Sequence, residues 1–312
     1  GLKMIIKSIN QSLLGPDQLS TRYKKTILVE KLSVFLSQTE HQHFIKKNSS
    51  LLGIDNRKTI CQRYKISKNK KYKRFCYQVL SLGNEWDNYK SNCKTYLKDV
   101  KSCLDNAVYG QEEAKNQIEQ IIAQWINGDM KGYCFGFEGP PGTGKTSLAK
   151  NGIARCLVDD NKKERPFAFI ALGGTSNGST LEGHNYTYLG STWGRIVDVL
   201  MEVKCMNPII FIDELDKVSR TEHGREIIGI LTHLTDLTQN SQFTDRYFSG
   251  INIDLSRVLF IFSYNDYSLI DPILADRIHR VKFKRLSKND KFIIARDYIL
   301  PELLSIVGFS KD

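Results

Sequence analysis

Gly139-Pro140-Pro141-Gly142-Thr143-Gly144-Lys145-Thr146 places a glycine, four free positions and then Gly-Lys-Thr, the spacing of a phosphate-binding loop. Backbone N–H groups of such a loop converge on phosphate oxygens, and the helix that follows adds its positive N-terminal partial charge. Lys145 is expected to reach the β and γ phosphates of a nucleoside triphosphate, and the Thr146 hydroxyl to ligate Mg²⁺. Hydrolysis of that triphosphate further needs a metal holder, an acceptor that orients water, and positive charge for the transition state. Asp213 and Glu214, which close an apolar run, answer the first two: Asp213 can hold Mg²⁺ directly or through water, and Glu214 can polarise the attacking water. Asn265, after a second apolar run, offers an amide to that water or to the γ-phosphate, although asparagine is also an ordinary turn residue. A glycine-rich turn that fits by coincidence and a solvated acid pair are the plain alternatives.

These residues need strands and helices to hold them. Tyr133–Glu138 reads as a short buried strand ahead of the loop, and Ser147–Cys156 as the helix after it. Ile118, Ile121, Ile122 and Trp125 recur at helical spacing upstream. Downstream, Pro166–Leu172, Pro208–Glu214, Val258–Phe262 and Val281–Phe283 read as strands. They alternate with helices over Arg195–Val203, Glu226–Leu237, around Pro272–Arg277, and over Asp290–Leu300; a polar stretch follows Leu237 as far as Asp254. Such alternation specifies an α/β fold with a mainly parallel sheet covered by helices, whose sites form at the carboxyl ends of the strands. Residues 1–104 carry helical spacing, interrupted by a Lys/Asn/Ser-rich excursion from Lys46 to Lys73.

A chain of 312 residues with 41% apolar content has room for about two domains. It contains no run of eighteen apolar residues and no signal-peptide pattern near its start, so we expect an intracellular location without a membrane partner. Seven scattered cysteines without a Cys-x-x-Cys pair argue for free thiols in a reducing compartment, against both a disulfide framework and a zinc site. His184 and His223 have no partner at ligand spacing. The +11 charge is uneven: residues 1–99 hold 20 Lys+Arg against 7 Asp+Glu, and the remainder 25 against 27. Lys46–Arg74 alone carries eleven basic residues and one acid, interleaved with Tyr64, Tyr72 and Phe75. That tract could bind DNA or RNA through phosphates and stacking, or be a solvated surface.

From about residue 98 onward the chain resembles the AAA+ ATPases, and within them the ATPase module of Lon proteases. Beyond the phosphate loop, the motifs that carry the likeness are Tyr109-Gly110, Ala171-Leu172-Gly173-Gly174, Gly183-His184 with Thr187-Tyr188-Leu189-Gly190, Asn207-Pro208, Asp213-Glu214-Leu215-Asp216-Lys217 and Leu274-Ala275-Asp276-Arg277. The resemblance implies ATP or ADP with Mg²⁺, contacted by Tyr109, Gly110 and the loop through Ser147. It also implies a ring, usually of six subunits, in which Arg277 acts on the neighbour's ATP. Tyr188-Leu189 would be the first pore loop that grips a protein substrate, with a second pore loop near Thr221–Gly224. On this scheme residues 1–104 are a basic, mainly helical N-terminal region, 105–284 the nucleotide-binding core and 285–312 the start of a helical lid.

Two departures stand out. Where the family usually has Arg-Gly-His-Arg-Arg-Thr-Tyr, this chain has Glu182-Gly183-His184-Asn185-Tyr186-Thr187-Tyr188, exchanging basic residues for an aromatic. The family's lid arginine and Ser-Lys protease residues have no counterpart in these 312 residues, and Gly1 in place of Met reads as a piece of a longer chain. The expected function is therefore ATP-driven unfolding and translocation of proteins as the ATPase part of a Lon-like protease. The competing readings are a nucleic-acid-associated loader or remodeller that uses the basic N-terminal third, and a nonprotease scaffold. The family is itself known to bind DNA, so the first two can coexist.

Overall fold

A computed structural model describes residues 70–127, 134–158, 163–173, 178–187, 190–218 and 221–307, with 28–31, 33, 34, 37, 65 and 68. The described residues form two compact units, one within 18–98 and one from Asp99 onward. Helix α1, Lys70–Ala107, begins in the first and ends in the second. In the first unit Phe75, Cys76 and Tyr89 are buried, Trp86 stacks on Tyr89 at 5.6 Å, and Lys31 pairs with Glu85 at 2.8 Å. The lysine-rich excursion ends sooner than its composition suggests, since Lys70–Lys73 already belong to α1. Phe75 and Cys76 supply a buried stripe, and the helix that carries them takes the preceding lysines as its solvated first turn. Lys46–Tyr64 lies outside the described residues.

In the second unit Ile118, Ile121, Ile122 and Trp125 are buried on α2, Glu112–Asn127, as their spacing predicts, and α2 packs against the strand His279–Lys282. The central sheet contains β1 (Cys134–Glu138), β2 (Phe167–Ala171), β3 (Ile209–Asp213), β6 (Leu259–Tyr264) and β7 (His279–Lys282). Its order is β2-β3-β6-β1-β7 and every pairing is parallel. All six residues of β6 are buried, which is why Leu259–Phe262 is an unbroken apolar run instead of alternating. Phe137 meets Phe283 at 5.0 Å and Phe211 at 6.5 Å, so aromatic rings fill much of the space beside β1 and β3.

At the amino end of the sheet the buried Arg165 donates to the carbonyls of Asn207 and, at 2.7 Å, Arg257, tying together the entries to β2, β3 and β6. At the opposite end the register sets Glu138 beside Tyr264 and Ile212 beside Phe262. Adjacent strands therefore deliver Gly139, Asp213-Glu214 and Asn265 to one edge.

The stretch read as polar, 238–254, holds a short antiparallel hairpin of β4 (Phe243–Thr244) and β5 (Asn252–Ile253), with Phe243 and Ile253 buried. Two-residue strands are too short for alternation to reveal them. The last strand starts two residues earlier than expected, at His279. Beyond it, α8 (Lys288–Ile294) opens on a capping box between Ser287 and Asp290, passes through a π-helical segment (Ala295–Ile299), and continues as α9 (Leu300–Val307).

Candidate functional site

The chain leaves β1 through the glycine loop and enters α3, which is α-helical over Lys145–Ser147, π-helical over Leu148–Ile153 and α-helical over Ala154–Cys156. Helix α3 thus begins two residues before the sequence reading placed it. Gly144 caps it at φ 90°, and a Cβ there would lie 2.8 Å from Val108 Cγ1, so both backbone and space require glycine. The buried Thr143 hydroxyl donates to Pro140 O at 2.9 Å and closes the loop on itself. Pro141, Gly142, Thr146 and Ser147 lie on the exposed side.

Lys145 is buried, and its ammonium donates to Gly139 O, to Tyr264 O at 3.3 Å and to Asn265 Oδ1 at 3.0 Å. All three acceptors are neutral. Burial lowers its pKa from the ordinary lysine value, while the carboxylates of Asp213 and Asp216 pull it back up. A buried cation held only by neutral oxygens favours an anionic ligand, so the loop fits a phosphate group.

Asp213 ends β3, and its Oδ1 accepts the Glu214 N–H at 2.9 Å. Glu214 sits in the left-handed region at φ 61°, an uncommon conformation for glutamate and one that clusters at functional sites. Its carboxylate pairs with Lys217 and lies over Gly173, where any Cβ would overlap it. That contact gives the Gly173 of the Leu172-Gly173-Gly174 motif a physical reason. One residue after Leu215, Asp216 Oδ2 accepts the Asn265 N–H at 3.0 Å.

A cleft of about 680 Å³ runs from the loop to the last helices, lined among others by Val108, Tyr109, Gly144, Asn151, Arg155 and Tyr298. Tyr109 meets Tyr298 edge-on at 6.4 Å. Gly110 and Gln111 both take positive φ, which turns the chain from the cleft wall into α2. Gln111 then pairs both its side-chain atoms with the backbone of Lys284, each at 2.8 Å. A half-polar cleft beside a phosphate loop has the size and lining for a nucleoside.

The profile of the ATPase family associated with various cellular activities (AAA) matches residues 135–286. A Lon protease homolog of Acanthamoeba polyphaga mimivirus is 33% identical over 323 residues, spanning all of this chain and 30% of that protein. The chain belongs to the AAA ATPases and matches the ATPase module of Lon-type proteases. The Lon protease of Campylobacter concisus is 38% identical over 223 residues (69% of this chain, 27% of that one). The mitochondrial Lon protease homolog of Schizosaccharomyces pombe is 31% identical over 310 residues (98% and 27%). The chain therefore spans less than a third of the length of these relatives.

Within this AAA module, Arg277 stands apart from the phosphate loop's hydrogen bonds. Its guanidinium donates to Thr232 O and pairs with Asp236, both at the end of α6 (Glu222–Thr235). Thr221–Gly224, expected as the second pore loop, is helical from Glu222, whose charge suits the first turn of α6. Tyr188 and Leu189 lie outside the described residues.

The segment around them is pinned at both ends. His184 N donates to Thr192 O at 3.0 Å, Ser191 Oγ to Asn185 O at 2.7 Å, and Tyr186 is exposed. The fully buried Asp245 accepts from Gly194 N at 2.8 Å and Tyr247 N at 2.9 Å; burial pushes its carboxyl pKa up and these N–H donors oppose it. Arg246 bridges Glu182 and Glu226, and Trp193 lies flat on Phe248. Sequence reasoning assigned none of Asp216, Asp245 or Arg246 a task. Asp216 was visible only as a member of the Asp213–Lys217 motif, and Asp245 and Arg246 carry no signal beyond a charge within the 238–254 stretch.

Proposed function

We propose that this chain binds ATP with Mg²⁺ and hydrolyses it to drive unfolding and translocation of protein substrates, as the ATPase part of a Lon-like protease. The observation that carries the reading is the convergence of Lys145, Asn265 and the Asp213-Glu214 pair on the carboxyl edge of adjacent strands β1, β6 and β3. Lys145 binds the phosphates, Asn265 contacts the γ-phosphate or the attacking water, and Glu214 accepts the proton of that water. Thr146 and Asp213 would hold Mg²⁺, which when bound neutralises charge on the β and γ phosphates. Tyr109 and Gly110 flank the nucleoside cleft. Arg277 completes the pocket of an adjacent subunit in a ring of six, and Tyr188-Leu189 contact the polypeptide in its channel. No described helix is long and apolar enough to cross a membrane. Among the described residues no disulfide joins the cysteines, which fits a reducing compartment inside the cell.

The test is Glu214→Gln in the assembled protein. It removes the water-orienting carboxylate and no phosphate contact, so hydrolysis should slow by about 10²-fold while ATP binding persists. Hydrolysis at the wild-type rate would remove Glu214 from the mechanism.

A second reading, that the N-terminal third also holds DNA or RNA, is favoured by one observation. Lys65, Lys68, Lys70, Lys71, Lys73 and Arg74 are all exposed, and the first turn of α1 contains no acidic residue.

A further inference from the structure

The peptide unit between Tyr264 and Asn265 is held at both of its polar ends. Its carbonyl, Tyr264 O, accepts from Gly139 N at 3.2 Å and from Lys145 Nζ at 3.3 Å, on the phosphate-loop side. Its N–H, on Asn265, donates to Asp216 Oδ2 at 3.0 Å, on the β3 side. Asn265 is the first residue beyond β6, so no sheet ladder orients it. With the carbonyl fixed by β1's loop and the N–H fixed by Asp216, this peptide plane cannot rotate without breaking bonds on both sides. The plane sets the direction of the Asn265 side chain, whose Oδ1 receives the Lys145 ammonium at 3.0 Å.

Asp216 is a costly residue to keep for this purpose. Its other oxygen, Oδ1, is buried and accepts no hydrogen bond among the described residues. Removing a carboxylate oxygen from water without a partner opposes folding, so a merely structural cap would be better served by a smaller or neutral acceptor.

We propose that Asp216 is a positioning residue: by holding the Asn265 N–H it aims the Asn265 amide at Lys145 and at the terminal phosphate, and so sets the preference for ATP over ADP. This rests on the reading of Asn265 as a γ-phosphate contact. ADP has no group at that position, so the preference is the quantity that Asn265 should control.

The experiment measures ATP and ADP affinities of the chain by calorimetry, with Glu214→Gln present throughout to prevent turnover. Asp216→Ala should weaken ATP about tenfold, the cost of one misdirected charge-assisted contact, and leave ADP within about twofold. Asp216→Asn keeps an acceptor oxygen in the same place and should restore most of the preference, which a loss of folding would not allow. Adding Asn265→Ala to Asp216→Ala should cost nothing further, because both act through one contact. Equal weakening of ATP and ADP, no change in either, or losses that add would overturn the proposal. If Asn265→Ala alone leaves the ATP to ADP ratio intact, the reading of Asn265 itself fails; if it shifts the ratio and Asp216→Ala does not, only the role of Asp216 fails.

Discussion

Arg277 and Asp236 form an ion pair of 3.0 Å, and the same guanidinium donates to the Thr232 carbonyl at 2.8 Å. Both partners close the C-terminal end of α6, where helix carbonyls lack intrahelical donors and carry negative partial charge. Asp236 is held below the usual carboxylate range by the Thr238 hydroxyl and N–H, with Arg277 a further cause. The arginine is thus oriented by its own subunit's helix, and one third of its side-chain surface remains exposed, enough to meet a second subunit.

If that meeting occurs, Arg277→Ala and Lys145→Ala damage different halves of a shared pocket. Mixed rings of the two variants should regain part of the ATPase activity that each lacks alone, because some interfaces then pair an intact loop with an intact arginine. Activity that never returns in mixtures shown to co-assemble would make Arg277 a helix-capping residue only.

Lys145 gives a pH prediction whose sign is set by burial. Its pKa lies below the ordinary lysine value, so at alkaline pH part of the free protein carries a neutral amine. In that window the unfolded chain binds more protons than the folded one, and stability of the free protein rises with pH. A bound triphosphate favours the ammonium, so ATP binding should take up protons at alkaline pH. Calorimetry in two buffers of different ionisation heat detects this directly, and binding heats independent of buffer would contradict it. Lys145→Arg, which stays protonated, should bind without that uptake.

The strands that build the site were legible because they are buried on both faces. Ile209–Ile212 and Leu259–Phe262 are apolar without interruption; β3 ends at the first polar residue, Asp213, whereas β6 runs on through the buried Ser263 to Tyr264. Which strands become neighbours was not legible from composition or spacing. The contact between Asp216 and Asn265 exists because β3 and β6 are adjacent, although 49 residues separate them in sequence. The left-handed Glu214 and the π-helical turn of α3 were hidden for a related reason. Neither residue type announces the conformation; Gly173 leaves room for the Glu214 side chain, and nothing in Leu148–Ile153 marks a π-helix.

The basic start of α1 predicts a salt-dependent interaction. Neutralising Lys68, Lys70, Lys71, Lys73 and Arg74 together should reduce the slope of log affinity against log salt by a few units, if these cations displace counterions from DNA or RNA. A slope unchanged in that variant would move binding elsewhere on the chain, and no binding of the parent protein at low salt would remove the nucleic-acid reading.

Gripping and anchoring should separate in the segment from Gly178 to Gly194. Asp245 receives the Gly194 and Tyr247 N–H groups from a fully buried position, while Arg246 and Glu226 fasten Glu182 and Gly178. Asp245→Ala would leave buried N–H donors without an acceptor, at about 1–3 kcal/mol each, so it should lower the melting temperature and weaken ATPase and substrate unfolding together. Tyr188 lies between Gly183 and Gly190, both at positive φ, in a stretch whose neighbour Tyr186 is exposed. A tyrosine has a broad aromatic surface and no demand for a particular partner, which suits a polypeptide of arbitrary sequence. Tyr188→Ala should therefore abolish unfolding of a tagged protein by the complete chain, with basal ATPase kept within a few-fold and the melting temperature unchanged. A Tyr188→Ala variant that behaves like Asp245→Ala, losing stability and ATPase at once, would assign the tyrosine to packing and end the pore-loop reading.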